Sequence, residues 1–129
     1  MIVRTLEKLE GTERDVSWGN GRSRRFLIKA DGRPYSVTDT TVNADTSSFL
    51  QYRNHVETCY RIAGKGRLRN HTTGETHVIV PGTIYSLDKN DAHHLIADQE
   101  GLRLICVFYP NLNGDEVHHL SSGGRSSAY

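Results

Sequence analysis

Y-R-N-H-V-E-T-C-Y-R-I-A-G-K-G, residues 52–66, is the stretch on which the reading of the fold turns. Two polar, metal-capable side chains, His55 and Glu57, stand two residues apart in it. Cys59, Tyr60 and Ile62 follow as an apolar and aromatic run, and then come Gly64 and Gly66. Residues two apart share a face of a strand, so a strand covering both would aim His55 and Glu57 inward together. Ionisable groups inside a sheet are costly without a partner, and a metal ion is one partner that fits. A polar pair on a solvated strand face is the plainer alternative. The Gly-Lys-Gly is expected to let the chain reverse tightly after the strand.

On both sides of this stretch the pattern is β. F-L-I-K-A from Phe26 reads as a strand, D-G-R-P at 31–34 as a turn, and Y-S-V-T-D-T-T-V at 35–42 as a β-branched strand. N-A-D-T-S-S is expected to be a loop. After Gly66, R-L-R-N-H should turn near Gly74 and return as T-H-V-I-V, a hairpin ended by Pro81-Gly82. I-Y-S-L and H-H-L-I-A read as further strands, Gly101 as a turn, and L-R-L-I-C-V-F at 102–108 as a fully buried strand. Residues 1–10 fit either a short strand carrying Ile2 and Val3 or one turn of helix. Gly11, Asn20 and Gly21 interrupt a polar segment before Ser23. Arg22 and Arg24 are expected on a solvated edge strand, where charge discourages edge pairing; Arg25 could instead meet a carboxylate.

Many short strands at roughly 8–12-residue spacing, with polar turns between, indicate an all-β sandwich or barrel. The 129 residues show no linker and no repeat, so a single domain over 1–129 is expected. S-S-G-G-R-S-S-A-Y at its end has little apolar content, and a mobile tail from about residue 120 is expected. Sixteen Lys and Arg against fifteen Asp and Glu leave no basic face for nucleic acid. No apolar run approaches membrane-spanning length, and the first ten residues carry acidic groups and no secretory h-region. Cys59 and Cys106 each lie in a strand-like run, which suits buried thiols of a cytoplasmic protein better than a disulfide framework.

A second informative stretch is P-G-T-I-Y-S-L-D-K-N-D-A-H-H-L, residues 81–95. Glu57 with Tyr85 and His93 would supply a carboxylate, a phenol and an imidazole. Oxygen and nitrogen donors without a thiolate suit non-haem Fe(II), Mn(II) or Zn(II). Three protein ligands would leave positions open for chemistry, although a tyrosine in a β-protein is ordinarily core packing. Asp91 could orient His93 or simply shape the turn. His71 and His77 read as solvated loop residues. His94 should point away from His93, and His119 away from His118.

E-T-C-Y-R-I-A-G-K-G together with P-G-T-I-Y-S-L-D-K-N-D-A-H resembles the two motifs of the cupin superfamily. More narrowly, the chain is similar to the ectoine synthases over nearly its whole length. The similarity runs through S-R-R-F-L-I-K, Q-Y-R-N-H-V-E, G-T-I-Y-S-L-D-K-N-D-A-H-H, L-I-C-V-F-Y-P-N-L-N-G-D-E-V-H and the final S-A-Y. The resemblance implies a small cytoplasmic cupin-type barrel of jelly-roll form, usually a homodimer. It implies one divalent metal per chain, iron(II) first, with zinc(II) or manganese(II) as alternatives. The implied reaction is a lyase step that closes N-γ-acetyl-L-2,4-diaminobutyrate into the compatible solute ectoine with loss of water.

By the same resemblance the metal ligands fall on Glu57, Tyr85 and His93, and substrate-pocket positions on Arg25, Thr40, Tyr52, His55, Phe108, Glu116 and His118. Glu116 and His118, expected on one strand face, are the candidates for proton transfer, with Tyr52 and His55 beside them. Arg25 or Thr40 would hold the substrate carboxylate, and Tyr52 and Phe108 would wall the pocket.

The chain departs from the family pattern at several places. Gly21 follows Asn20 where the family carries Trp; Trp18 lies three residues earlier and would fill that gap only through a shifted loop. Pro34-Tyr35-Ser36 replaces Gly-Phe-Ser, Gln51 stands where His is common, and His118-His119-Leu120 leads into the Ser/Gly-rich end. The alternatives are a divergent metal cupin acting on another N-acyl amino acid or hydrolysing the ring, or a non-catalytic small-molecule-binding cupin; an opening beside Gly21 would favour a bulkier substrate. Trp18 folded into the gap would favour ectoine synthesis.

Overall fold

The structure, a computed structural model, describes residues 1–88, 90–118, 120 and 129. Among these, one helical turn, α1 (Leu6–Leu9), buries Leu9 and is followed by eight strands. They are β1 (Asp15–Ser17), β2 (Arg22–Leu27), β3 (Ser36–Val42), β4 (Ser47–Leu50), β5 (Val56–Asn70), β6 (Thr76–Ile79), β7 (Ile84–Leu87) and β8 (His93–Tyr109). All pairings are antiparallel and the sheet runs β1-β2-β3-β8-β5-β6, with β4 on β8 and β7 on β5. Trp18, Val42, Leu50, Leu68, Ile79, Leu87, Leu95 and Leu104, drawn from nearly every strand, meet in one core. A sheet whose inner faces share a core has curled on itself, which is the all-β barrel expected.

Two glycine expectations are corrected. The chain does not reverse at Gly64 and Gly66: β5 runs through both for fifteen residues. Nor does it turn at Gly101, because β8 is continuous for seventeen. A Cβ on Gly64 would stand 1.9 Å from the Gly101 carbonyl oxygen, and one on Gly66 2.2 Å from that of Ile96. These glycines therefore permit close approach of β5 and β8, with register shifts at Arg61/Ala63 and Gly64/Gly66 that bend the pair. The bend lets β8 change neighbours. Its first residues pair with β4 (Leu50↔His93, Ser47↔Ile96), its last with β3 (Val42↔Leu102, Ser36↔Phe108), and both halves pair with β5.

Other elements differ in smaller ways. Residues 102–108 are not uniformly buried: Leu102, Leu104, Cys106 and Phe108 face the core, while Val107 is exposed. Asp15–Ser17 and Ser47–Leu50 are strands in segments read as polar or loop, held by pairing to β2 and β8. Past Leu27, β2 gives way to a 3₁₀ turn at Lys29–Asp31. Strand β2 lies between β1 and β3, so Arg22 and Arg24 are not on an edge. Arg22 stays exposed beside Asp15, but Arg24 donates to the buried Asp39 at 2.7 Å, and Arg103 does so at 2.6 Å. Burial opposes ionisation of Asp39, yet the two guanidinium groups hold its carboxyl below the usual range. The Gly74 hairpin forms as expected, with His77 inside β6 and not in the loop. No helix among the described residues is long and apolar enough to cross a membrane.

Candidate active site

Alternation along β5 and its flanks sets the interior. His55 immediately precedes β5, Glu57 is its second residue, and both are buried, as their spacing implied. Cys59 comes next on the same inner face and is opposed by Tyr85 of β7 and Cys106 of β8. The Glu57 carboxyl and the two thiols lie within 4.8 Å of one another, and the sulfur atoms are 3.3 Å apart, unbridged. Burial pushes the Glu57 carboxyl up to about 7, against hydrogen bonds from Cys59, Cys106 and Tyr52. Burial likewise raises the Tyr85 phenol, with the nearby Cys59 and Glu57 adding to the effect. Two buried thiols, Cys59 and Cys106, thus stand beside Glu57, a neighbourhood that no metal-ligand spacing in the sequence announces.

His93 opens β8 at 1% exposure. Its Nδ1 lies 2.9 Å from the Asp91 carbonyl oxygen, which can only accept, so Nδ1 carries the proton. Nε2 is then a buried lone pair without a hydrogen-bond partner among the described residues. Burial pushes the imidazole down to about 4, against the pull of Asp91, so it is neutral at pH 7. A neutral imidazole with an orphaned lone pair is what a metal ligand presents. The Asp91 carboxylate meanwhile accepts from the Asp88 N–H at 2.7 Å, so this residue both shapes the turn and orients the ring. Tyr52 connects the two ends of the site: its ring stacks on His93, 5.9 Å between centroids, and its hydroxyl bears on the Glu57 carboxyl. A neutral His93, a carboxyl raised by burial and a phenol on the same interior are a donor set that fits a divalent cation.

Trp18, Thr40, Tyr52, Glu57, Tyr85, Phe108, His118 and Tyr129 line a cavity of about 20 Å³, room for roughly one water molecule. Tyr85 also lines a larger pocket of about 440 Å³, together with Leu68, Asp91 and His93. His118 Nε2 lies 3.3 Å from the Tyr52 hydroxyl, and its ring stacks on Tyr129 at 4.3 Å. His55 contacts Phe108 edge-on.

Arg25 and Glu116 sit behind that wall. Arg25 is fully buried, donates to the Tyr129 hydroxyl at 2.7 Å and to the Glu116 carbonyl, and stands 3.5 Å from the Glu116 carboxylate. That carboxylate also accepts from the N–H groups of Asn113 and Gly114 at 2.8 and 2.9 Å. Burial opposes its ionisation, but these donors and Arg25 hold it below the usual range. No strand covers residues 110–118, so Glu116 and His118 do not share a strand face as expected; Glu116 meets Arg25, whereas His118 meets Tyr52 and Tyr129.

Two residues of the wall lie at the departures from the family pattern. Trp18 is 4% exposed, and its indole N–H donates to the Thr41 carbonyl at 2.9 Å. The tight turn that returns it closes through Trp18 N–H to the Gly21 carbonyl, 3.1 Å. A Cβ on Gly21 would stand 1.9 Å from the Thr41 oxygen and 2.8 Å from the indole nitrogen. Trp18 therefore fills the place beside Gly21. Tyr129 is 3% exposed against His118 and Arg25, although a mobile end was expected. Residues 121–128 and His119, on which the rest of that expectation falls, lie outside the described residues. Nothing local in the sequence marks Tyr129 as a wall residue beyond its being the sole aromatic of that stretch.

Comparison with known proteins agrees with this architecture. The sequence model of the family described as ectoine synthase matches residues 1–127. An L-ectoine synthase of Mycobacterium sp. (strain KMS) is 43% identical over 118 residues, 92% of this chain and 91% of that protein. One from Desulfatibacillum aliphaticivorans is 47% identical over 120 residues, 92% of each chain. The crystal structure of ectoine synthase from P. lautus superposes with a TM-score of 0.83 at 40% identity, covering 88% of this chain and 81% of that one. By family match and by fold, this chain belongs to the ectoine synthases, lyases built on the cupin barrel.

Proposed function

We propose that the chain cyclises N-γ-acetyl-L-2,4-diaminobutyrate to ectoine, a compatible solute, with loss of water and with a divalent metal held by Glu57, Tyr85 and His93. The observation that carries the substrate is Trp18, which occupies the gap at Gly21 and leaves no added room for a bulkier molecule. The metal reading rests on the orphaned Nε2 of His93 and the carboxyl of Glu57. A metal bound there supplies Lewis acidity toward the substrate amide carbonyl. Iron(II) leads the candidates, with zinc(II) and manganese(II) behind it.

The remaining roles belong to side chains. Thr40, in the cavity wall, anchors the substrate carboxylate, and Arg25 holds that wall from behind through the Tyr129 hydroxyl. Tyr52 and Phe108 fold the substrate so that its α-amine meets its own acetyl carbon, an effect worth up to roughly 7–11 kcal/mol in well-oriented intramolecular reactions. The amine must shed a proton to attack, and the carbonyl oxygen must leave as water. His118, hydrogen-bonded to Tyr52 in the cavity wall, is placed to move those protons, with His55 at the other side of Phe108. Glu116 acts there through Arg25, whose charge it balances. Excluding bulk water favours the dehydration.

The test is to load the purified protein anaerobically with Fe(II), add N-γ-acetyl-L-2,4-diaminobutyrate and follow ectoine by chromatography. Ectoine should accumulate. Stoichiometric metal without ectoine would overturn the substrate while leaving the centre, and would redirect attention to other N-acyl amino acids.

A homodimer is part of the same reading. Opposite the buried Cys59, the outer face of β7, β5 and β8 sets Ile84 beside Tyr60 and carries Val107 and Tyr109, all exposed. An apolar row across three neighbouring strands suits burial against a second copy. Ile84→Glu is expected to turn a dimer into a monomer by light scattering; a variant that keeps the dimer would move the interface elsewhere. Free thiols 3.3 Å apart fit the reducing conditions of the cytoplasm.

A further inference from the structure

We infer that Tyr129 is a positioning residue of the cyclisation: its ring holds the His118 imidazole in the plane that proton transfer needs. The inference rests on the reading that His118 moves protons for ectoine formation. His118 is not aimed by its own chain. It lies on the irregular segment 110–118, where no strand fixes its direction, and the last torsion of a histidine side chain is a broad, roughly two-fold well. Its neighbours must therefore set the plane. The Tyr52 hydroxyl stands 3.3 Å from Nε2, longer than the usual range for a hydrogen bond, so it holds the ring weakly. Trp18 meets the imidazole edge-on, 6.0 Å between centroids. Tyr129 lies almost parallel to it, with 15° between the planes and 4.3 Å between centroids. Turning the imidazole out of that plane would lose the stacked contact over the whole ring.

The Tyr129 ring is itself held at both ends. Its backbone carbonyl accepts from the N–H groups of Arg53 and Asn54, at 3.0 and 3.2 Å, in the segment that leads into β5. Its hydroxyl accepts from the fully buried Arg25 at 2.7 Å. Tyr52 flanks the ring edge-on at 5.1 Å and Phe108 at a tilt, 5.4 Å away. Burial pushes the phenol up to about 12, so Tyr129 stays protonated at neutral pH and aims a proton carrier without being one.

Two measurements separate positioning from a merely structural role. Tyr129→Leu keeps apolar bulk without the ring, and in Fe(II)-loaded protein it should lower kcat about 10–100-fold with KM held within about threefold. Tyr129→Phe keeps the ring and loses one neutral hydrogen bond, so it should recover all but about fivefold of kcat. Parental kcat in the leucine variant, a rise in KM alone, or a phenylalanine variant as slow as leucine would each overturn the role, while ectoine made by the parent leaves the reaction standing. No ectoine from the parent would overturn the reaction and this role with it. The second measurement needs no turnover. In zinc(II)-supplemented full-length protein labelled at its seven histidines, the His118 ring protons are assigned by their loss in His118→Gln. They should lie upfield, because a face-on aromatic ring shields where an edge-on ring deshields. The displacement should persist in Tyr129→Phe and vanish in Tyr129→Leu. An unshifted His118 line in the parent would overturn the stack even where a variant does not fold.

Discussion

Glu57→Ala is expected to bring ectoine formation down by on the order of 10²–10⁴-fold, because a Lewis-acid metal is worth several kcal/mol and each 1.36 kcal/mol is tenfold in rate. Metal content of the purified variant should fall in parallel. Folding should not. The carboxyl is buried, and burial raises its folded pKa from the ordinary 4.5 to about 7. An acid shifted upward stabilises the metal-free fold most fully below its unfolded pKa, and that contribution is lost as pH rises to the folded value. At pH 8 the metal-free protein therefore bears an ionised Glu57 at a cost that alanine removes, offset in part by the cavity left behind. The expected result is an inactive, metal-poor protein whose melting temperature at pH 8 equals or exceeds that of the metal-free parent, with the advantage shrinking toward pH 4.5. Turnover retained at the parental rate would remove Glu57 from the centre. Lost turnover with a collapsed melting temperature would recast it as a structural residue.

Gly64→Ala is expected to be the most damaging single-methyl change in the barrel. The new Cβ would lie 1.9 Å from the Gly101 carbonyl oxygen and 2.9 Å from the Leu102 Cα, all backbone, at a position with φ of +81°. Neither strand can yield without opening the β5–β8 ladder, the pairing that carries Glu57 opposite Phe108 and Cys59 opposite Cys106. A loss of about 4 kcal/mol or more follows, and with it a fall in melting temperature of more than roughly 10 °C. Gly74→Ala provides the comparison. Its φ is +75°, but nothing lies within 4 Å of the added methyl, so it should show only the left-handed backbone cost of about 1–2 kcal/mol. Equal melting temperatures for the two variants would mean that the close strand crossing is not what Gly64 serves.

The same pair of glycines shows how sequence reading and structure part. A Gly-x-Gly after a strand is locally indistinguishable from a turn, because the freedom glycine gives a reversing chain is the freedom it gives two strands to cross closely. Only the presence of Gly101 and Ile96 on β8 decides between them. The tail differs in kind. A Ser/Gly-rich end has no apolar content to hold it, and Tyr129 is held by partners far away in the chain, Arg25 and His118. Cys59 and Cys106 are separated by 46 intervening residues and become neighbours through register alone.

What the residues determined by themselves was the class of fold and, along β5, which groups share a face. Period-two alternation puts His55, Glu57 and Cys59 on one side wherever the strand pairs, since a strand has only two faces. Residues 102–108, by contrast, read as buried throughout, and only their pairing turned Val107 outward. The motif residues likewise carried the family. The tertiary structure alone decided which inward groups share a cavity. It seated Trp18 beside Gly21, turned Glu116 onto Arg25 and away from the cavity, and set two thiols against Glu57. Those outcomes depend on register and on close approach between distant segments, and distances of that kind are written in no local pattern of side chains.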